Sequence, residues 1–279
     1  MTMAAQGNGS RILRRVEGER LVFYWSAADR AFWDEHWRDE ATAGLYTGAR
    51  KGALGFYTDI FPRYLPRQGR VIEAGCGLGN LVLALRARGY DCEGVEWAPE
   101  TVERVRSMAP DLPIRVGDVL KLDVPDKYYH AYVSLGVVEH RPEGPEPFLV
   151  EAARVLADDG VMLLSVPHFH GLRRLKARLG WFRRPPEGRE FYAQAMTRAD
   201  MTEVLRRCGF RVDAVVGVDP WKGLKDEIPL VLRLFRVPGI GRKLDAWWRR
   251  CAWAQRRLGH MILFVCRKDG SPTCVTGSR

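Results

Sequence analysis

Short apolar runs alternate with helix-like segments through the middle of the chain, beginning at Arg70. The apolar runs are RVIEAG, YDCEGVEW, PIRVGD, HAYVSLG and GVMLLSVP. The segments between them have helical periodicity over residues 80–88, 99–109 and 147–156. Apolar runs of about 4–8 residues, separated by helices of about 10–15 residues, are typical of βαβ units. The pattern therefore predicts an α/β fold with a doubly wound, mostly parallel sheet.

The first 50 residues do not follow this alternation. They are rich in aromatic and charged side chains, and residues 27–38 have a helical pattern. We expect residues 1–50 to form an N-terminal helical cap on one α/β domain that spans residues 51–279.

Two basic segments interrupt the alternation after Pro167. The first basic segment, residues 168–190, has seven Lys or Arg against two acidic residues, and the second, residues 221–259, has ten against three. The whole chain has a formal charge of +10, so the remainder is close to neutral. Between them, Thr197 and Gly209 are placed to cap and end a helix. Apolar runs at 210–218 and 260–267 are expected to add the last strands.

Both basic segments have the pattern of amphipathic helices. In the first, Leu172, Leu175, Leu179 and Phe182 recur at helical spacing among basic residues. In the second, basic pairs recur every seven residues, and the opposite face carries Leu244, Trp247, Trp248, Cys251, Ala254 and Leu258. Three interpretations remain open: helices packed on the domain with a solvated basic face, helices on an anionic membrane surface, or RNA-binding helices.

The cysteines and the apolar content favour a cytoplasmic location. None of the six cysteines forms a C-x-x-C pair, and the polar start MTMAAQGNGSR lacks the apolar region of a signal peptide. The longest apolar stretches fall far short of the ~20 residues that span a bilayer. We expect reduced thiols and no transmembrane segment.

A glycine-rich loop, Gly75-Cys76-Gly77-Leu78-Gly79, follows the first predicted strand of the sheet. Glycines at such a turn let a ligand approach the backbone, and the next helix offers unpaired N–H groups at its start. The dinucleotide fingerprint would need a glycine where this chain has Asn80. The loop alone is therefore also compatible with a purely structural turn.

Three acidic residues at strand ends make a ligand site more specific. Glu73 lies in the first strand, two residues before the loop. Glu96 ends the second strand, where a carboxylate can accept both hydroxyls of a ribose. Asp118 follows the third strand, where it can accept hydrogens from an adenine amine. Their order and spacing favour a nucleoside site over three unrelated surface acids.

The sequence resembles the Rossmann-like, class I S-adenosylmethionine-dependent methyltransferases through VIEAGCGLGN, GVEWAPE, VGDVLKLD, SLGVVEH and RVLADDGVMLLSVP. The similarity covers residues 70–167 and is weaker in the later strands. It implies S-adenosylmethionine as cofactor and the strand order 3-2-1-4-5-7-6, with the seventh strand antiparallel. It also implies a cofactor site composed of Glu73, Gly75, Gly77, Gly79, Glu96, Trp97, Asp118, Val119 and Ser134.

The resemblance gives these positions separate roles. The three glycines would lie at the methionine moiety, and Glu96 would accept from the ribose. Trp97 and Val119 would pack against the adenine, and Asp118 would bind its amine. The main chain at Ser134 would lie near the sulfonium.

The residues at the end of the fourth predicted strand restrict the class of methyl acceptor. Base-amine methyltransferases commonly have an Asp/Asn-Pro-Pro-aromatic motif where this chain has Ser134-Leu135-Gly136-Val137, and the Pro-Cys pair of pyrimidine C5 methyltransferases does not occur there. These absences favour an oxygen on a small molecule, with nitrogen and carbon acceptors still open.

His140 is the predicted catalytic residue, since a histidine beside the acceptor can take a hydroxyl proton. His168 and His170 are alternatives, and all three are also compatible with ordinary loop positions. Some relatives, including ubiquinone-pathway O-methyltransferases, have Glu-x-x-Glu-His here and bind a divalent ion. This chain has Gly136 in place of the first Glu, so we expect no metal.

The sequence as a whole therefore predicts O-methylation of a small or lipid-linked acceptor. Ubiquinone-pathway enzymes have a membrane-associating insertion near the position of the first basic segment, which makes an anionic membrane surface a candidate partner. An RNA methyltransferase and a non-catalytic module that keeps the cofactor fold are the alternatives.

Overall fold

The computed structural model describes residues 12–38, 42–184, 188–228, 248 and 251–270. Strands β1 to β10 run over Leu13–Glu17, Arg20–Trp25, Arg70–Ala74, Asp91–Glu96, Ile114–Val116, Tyr129–Leu135, Leu156–Pro167, Glu190–Ala195, Phe210–Val218 and Met261–Lys268. Helices α1 to α10 run over Arg30–Arg38, Thr42–Arg50, Phe61–Tyr64, Asn80–Ala87, Pro99–Met108, Glu146–Val155, Gly171–Arg178, Arg198–Arg207, Pro220–Lys225 and Ala252–Leu258. Single 3-10 turns occupy Gly55–Tyr57 and Val138–His140.

The central sheet has seven strands in the order β5-β4-β3-β6-β7-β10-β9. The five strands from β5 to β7 are parallel, and β10 is antiparallel to both β7 and β9. This is the 3-2-1-4-5-7-6 order implied by the resemblance, which is therefore confirmed. Separate apolar clusters cover the two faces, so the sheet is buried as a doubly wound sheet must be.

The predicted strand and helix signals at the end of the chain are confirmed. The Thr197 side chain accepts a hydrogen bond from the Asp200 N–H at 3.1 Å and caps α8. Gly209, with φ of +78°, follows the helix and turns the chain into β9.

The N-terminal segment contains a hairpin that the sequence analysis did not predict. Strands β1 and β2 pair around Gly18, and β2 then pairs with β8 to give a three-stranded sheet outside the central one. Leu21, fully buried, packs there with Phe169 and Phe182. The predicted helix does form in this region as α1, and Asp29 caps it by accepting from the Phe32 N–H at 2.8 Å. The N-terminal segment is thus a hairpin followed by helices.

The orientation expected for the helix of the first basic segment is wrong. Helix α7 is shorter than the predicted 172–182, and it turns Arg173 and Lys176 inward, to 2% and 9% exposure. Leu175, Leu179 and Trp181 are exposed instead, at 52%, 67% and 65%. The helix is amphipathic, but two basic side chains face the domain and apolar side chains face solvent.

A buried carboxylate explains this inversion. Glu227, just after α9, is 2% exposed and accepts from Arg173 Nε at 3.0 Å and from Lys176 Nζ at 2.9 Å. Arg14 of β1 forms a third ion pair with it at 2.5 Å. Burial alone would raise the pKa of Glu227, but the Arg14 and Arg173 charges outweigh it and hold that pKa below its ordinary value. Glu227 therefore joins the hairpin and α7 to the end of the central domain.

Part of the second basic segment lies outside the described residues, including Leu244, Trp247 and the basic pairs at 242–243 and 249–250. Its last helix is described as α10. There, Ala254 and Leu258 are buried while Arg256 and Arg257 are exposed, as the predicted apolar face requires.

Among the described residues, no helix is both long and apolar enough to cross a bilayer. Five of the six cysteines fall in the described part of the chain, and all five are free thiols.

We expect Glu227→Gln to lower the free energy of unfolding by about 3 kcal/mol, because removing one partner of a buried ion cluster leaves the others uncompensated. Urea unfolding followed by circular dichroism measures this change. Glu203→Gln is the matched control, since Glu203 pairs with Arg206 on an exposed helix face and its loss should leave the transition unmoved. Equal transitions for Glu227→Gln and the unsubstituted chain would show that the cluster does not hold α7 in place.

Candidate functional site

The glycine-rich loop connects β3 to α4 and is tightly enclosed. Gly75, Gly77 and Gly79 have φ of +76°, +50° and +67°, where other residues are strained. A Cβ on Gly75 would lie 2.5 Å from the Val137 side chain, and one on Gly77 would lie 2.6 Å from the Trp37 ring. The loop therefore needs its glycines both for its turn and for the close approach of α1.

Glu73 supports the helix that follows the loop. Its Oε2 accepts a hydrogen bond from the Val82 N–H, in the first turn of α4, at 3.2 Å. Burial raises the pKa of Glu73 well above its ordinary value. The observed contact is thus with α4, and a contact between Glu73 and a cofactor stays a prediction.

Glu96 joins the loop to the end of β4. Its Oε2 accepts from the Gly77 N–H at 2.8 Å, and its Oε1 accepts from the Trp97 and Ala98 N–H groups at 2.8 and 3.0 Å. Burial raises the pKa of Glu96, although these hydrogen bonds oppose the shift. A carboxylate has about four acceptor positions, so one remains on Oε2 for a ligand hydroxyl.

The other predicted nucleoside residues lie along the same edge of the sheet. The Gly117 N–H donates to the Glu96 carbonyl at 2.9 Å, which brings the Asp118 segment beside the end of β4. Asp118 is exposed and accepts from the Leu120 N–H at 2.8 Å, and Val119 is buried. The Trp97 ring is half-buried, with the Arg30 guanidinium 5.1 Å from its centre.

Among the described residues, three buried polar atoms near this edge have no hydrogen-bond partner. They are Ser134 Oγ, Glu139 Oε2 and Trp37 Nε1. Ser134 and Ser165 lie on adjacent strands, but Ser134 pairs with Leu164 and Ser165 pairs with Leu135, so the two side chains project from opposite faces of the sheet. Buried polar atoms in folded proteins nearly always have partners, so each of these three atoms marks a position where a ligand could supply the missing partner.

Tyr57 belongs to the same region and was missed by the sequence analysis. Burial raises the pKa of its hydroxyl to about 12, although a hydrogen bond with Ser165 opposes the shift. It therefore stays protonated at neutral pH and can donate a hydrogen bond.

His140 is held with its Nε2 free. Its Nδ1 lies 2.8 Å from the Tyr192 carbonyl oxygen, which can only accept, so Nδ1 has the proton and Nε2 has the lone pair. The rings of Trp33 and Tyr192 pack edge-on against it, each with centroids 4.9 Å away. Burial lowers the pKa of His140 to about 4, so the ring is neutral at pH 7.

Glu139 lies next to that free nitrogen. Its Oε1 is 4.0 Å from His140 Nε2, and the side chain is 3% exposed. Burial raises the pKa of Glu139 to about 8, so it is mostly protonated at neutral pH. The pair therefore contains a neutral histidine and a neutral carboxylic acid.

The alternative histidines have different surroundings. His168 Nδ1 is 3.3 Å from the Gly259 carbonyl oxygen, and the His170 ring packs 5.8 Å from His168 with both nitrogens unpartnered. Burial and the Arg173 charge lower the pKa of His170 to about 2. Within the described ranges, no group of three His, Cys, Asp or Glu is arranged to hold a metal ion, and the expectation of a metal-free site stays a prediction.

Helix α1 covers the site from the N-terminal side. Asp34 accepts from the Thr101 N–H at 2.8 Å and from its hydroxyl at 3.0 Å, which fixes α1 to α5. Trp33 thereby reaches His140, and Trp37 reaches Gly77. Helix α1 thus forms one wall of the candidate site.

Two protein sequences illustrate the similarity to known proteins. A probable S-adenosylmethionine-dependent methyltransferase of Mycolicibacterium smegmatis is 31% identical over 159 residues, which cover 56% of this chain and 57% of that protein. A ubiquinone biosynthesis O-methyltransferase of Azorhizobium caulinodans is 27% identical over 191 residues, covering 61% and 74%. The match thus spans less than two thirds of the mycobacterial relative.

Solved structures show the same fold at low identity. A Pyrococcus horikoshii protein superposes with a TM-score of 0.57 at 16% identity, over 84% of this chain and 99% of that one. A putative methyltransferase of Haloferax volcanii, solved with the Trm112 activator, also has a TM-score of 0.57, at 20% identity over 85% and 98%.

The family described as methyltransferase domain matches residues 49–215, more than half of the chain. This range contains the glycine loop, the three strand-end acids and His140. Together with the strand order, this match confirms the resemblance found in the sequence. The chain belongs to the methyltransferase domain family, with the Rossmann-like fold of the class I S-adenosylmethionine-dependent methyltransferases.

Proposed function

We propose that the chain transfers the methyl group of S-adenosylmethionine to an oxygen atom of a small or lipid-linked acceptor. The observation that carries this proposal is the Glu96 carboxylate, which binds both the glycine loop and the chain after β4 and keeps one acceptor position for a ligand hydroxyl. The orphaned Ser134 Oγ, near the end of β6, and Glu139 Oε2, next to His140, offer further partners at this edge of the sheet. Transfer of a labelled methyl group into a lipid extract, RNA or neither tests the proposal against an RNA methyltransferase and a non-catalytic module.

The residues present fit S-adenosylmethionine. Glu96 has one acceptor position left for a ribose hydroxyl, and Asp118 is exposed at the next strand end. The orphaned Ser134 Oγ and Trp37 Nε1 are free to accept from and donate to the methionine part. The cofactor supplies a methyl group on a positively charged sulfur, which needs no further activation.

His140 is the proposed proton acceptor. As the acceptor oxygen forms its bond to the methyl carbon, His140 Nε2 takes the hydroxyl proton, and the pair of electrons of the carbon–sulfur bond stays on sulfur. The Tyr192 carbonyl keeps the ring in the tautomer that leaves Nε2 free. Positioning supplies most of the rate, and base assistance adds about 10²–10⁴-fold.

Glu139 tunes this base as a positioning residue. Below pH 8 it is neutral and does little for a protonated His140. Above pH 8 it becomes anionic 4.0 Å from Nε2, where an opposite charge favours the imidazolium. Proton transfer to His140 should therefore become easier as the pH rises through 8.

The exposed side of α7 supports a lipid-linked acceptor at an anionic membrane surface. Leu175, Leu179 and Trp181 face solvent together with Arg174 and Arg178 of the same segment. Apolar side chains that enter the acyl boundary, beside basic groups that meet anionic headgroups, are the features of an interfacial helix. The similarity to a ubiquinone biosynthesis O-methyltransferase points to the same class of acceptor.

Replacing Glu96 should weaken binding of S-adenosylmethionine by about 1–3 kcal/mol, because a ribose hydroxyl then loses its partner. Calorimetric titration of Glu96→Ala and Glu96→Gln measures the effect, and the Gln variant keeps one acceptor for the backbone N–H groups. Glu93→Gln on the same strand is the control, since Glu93 bonds Tyr129. Unchanged affinity in a folded Glu96 variant would remove Glu96 from the cofactor site.

His140→Ala should lower kcat by about 10²-fold or more and leave cofactor affinity unchanged, since the imidazole acts on the acceptor proton. His130→Ala, an exposed histidine at the opposite end of β6, should not change kcat. We expect EDTA to have little effect. A His140→Ala variant with wild-type kcat between pH 6 and 9 would exclude this role, and strong inhibition by EDTA would indicate a metal.

The pH profile gives a separate test of Glu139. In the wild-type chain kcat should rise as the pH passes about 8, because the Glu139 carboxyl then loses its proton. In Glu139→Gln this rise should be absent, since the amide stays neutral. A rise that persists in Glu139→Gln would assign it to another group.

Vesicle binding tests the membrane surface. Replacing Leu175, Leu179 and Trp181 with Ser should weaken binding to anionic vesicles at least ~tenfold, because each buried apolar side chain contributes on the order of 1 kcal/mol. Leu45→Ser with Val116→Ser is the control, since these side chains are exposed elsewhere. Variants that reverse the charge of exposed arginines in the first basic segment should leave Arg173 unchanged, because Arg173 is buried and pairs with Glu227.

Co-sedimentation at one ionic strength distinguishes the outcomes. Binding to neutral and anionic vesicles alike, or no binding at low salt, would contradict an anionic membrane surface. Retention on RNA in place of vesicles would favour the RNA alternative.

A further inference from the structure

A cavity of about 270 Å³ opens at the carboxyl edge of the central sheet, beyond the strands that carry Ser134 and Ser165. It lies where β7 ends, between the start of α8 and helix α10. In the part of the chain that the structure describes, three arginines line it: Arg198 is the first residue of α8, and Arg256 and Arg257 belong to α10. None of the described lining residues is acidic.

These arginines differ from their neighbours in having no acidic partner in the described parts of the chain. On the same helix α8, Arg206 pairs with Glu203 at 2.8 Å and Arg207 with Glu146 at 2.9 Å. The described residues thus provide acidic partners for arginines at the far end of α8 but none for the three arginines around the cavity. The positive charges of these three arginines attract an anion.

The backbone of α10, the helix that contains Arg256 and Arg257, packs tightly against its neighbours. A Cβ on Gly217 of β9 would lie 1.8 Å from the Gln255 carbonyl oxygen, and one on Gly223 would lie 1.8 Å from the Leu258 carbonyl oxygen. Helix α10 therefore packs backbone to backbone against β9 and α9. This contact fixes the positions from which Arg256 and Arg257 extend.

We propose that this cavity binds a phosphate monoester. The guanidinium group matches phosphate with two parallel hydrogen bonds, and several such groups balance a dianion. The start of α8 adds the positive end of a helix dipole. The floor is apolar, from Val215 and Ile262, so it takes carbon atoms attached to the phosphate. The ligand class is a phosphorylated small molecule or the headgroup of a phospholipid, and the inference does not depend on methyl transfer.

Calorimetric titration of the full chain with glycerol 3-phosphate tests the proposal, with glycerol as the uncharged probe. We expect saturable binding of the phosphate alone. Arg256→Gln combined with Arg257→Gln should weaken it at least ~tenfold, since each charge-assisted contact is worth about that factor. Arg206→Gln with Arg207→Gln removes the same charge from α8 away from the cavity and should leave affinity unchanged. Circular dichroism checks that both double variants are folded.

Vesicles containing phosphatidate provide the second arm. Binding to glycerol 3-phosphate supports a soluble phosphate ester, and binding to phosphatidate vesicles alone supports a headgroup, provided that the α10 double variant loses it. The proposal is overturned by lack of saturable binding to either probe, or by equal loss in the α8 control variant. Binding to RNA, without binding to glycerol 3-phosphate or to phosphatidate vesicles, would also overturn the proposal.

Discussion

The buried Glu96 carboxylate is the contact on which the site depends. It accepts N–H groups from the glycine loop after β3 and from the chain after β4, and so fixes two neighbouring strand ends to one point. Glu96 accepts the Gly77 N–H, and the absence of a side chain on Gly77 leaves room for the Trp37 ring. The loop, the start of α4 and the cap helix α1 are therefore mutually constrained. A ligand hydroxyl at Glu96 would join a network that already exists.

A second carboxylate, Glu227, performs the corresponding task at the other end of the fold. A lone buried acid draws Arg173 and Lys176 inward because neutralising it outweighs burial of apolar side chains on that face. Leu175 and Leu179 are consequently left in solvent. The inward orientation of the basic side chains of α7 and the exposure of its apolar side chains thus have a single cause, the buried Glu227 carboxylate. This carboxylate also determines which apolar surface is available to a membrane.

The sequence predicts the parts of the fold in which local pattern and tertiary environment agree. The seven-stranded sheet, the Thr197 cap and the glycine loop follow from periodicity and turn chemistry that act within a few residues. The hairpin at 13–25 was missed because β1 is mostly charged and because β2 is completed by β8, about 170 residues away. The orientation of α7 was wrong for the same reason, since helical spacing identifies two faces but not the position of Glu227.

The same distinction separates the two halves of the candidate site. The cofactor half consists of strand ends within residues 70–134, where neighbouring segments of chain meet at one edge, so motifs could identify it. The proposed acceptor half is assembled from distant segments: Trp33 from α1 and Tyr192 from β8 pack against His140, and the Glu139 carboxyl acts on the pKa of Tyr57 from a 3-10 turn. Each of these aromatic residues has no local signal, because its role arises only from the packing of the cap on the sheet. A family can therefore keep its methyl donor while the acceptor changes with the segments that pack on the sheet, and we expect the identity of this acceptor to depend on α1 and β8 more than on the methyltransferase motifs.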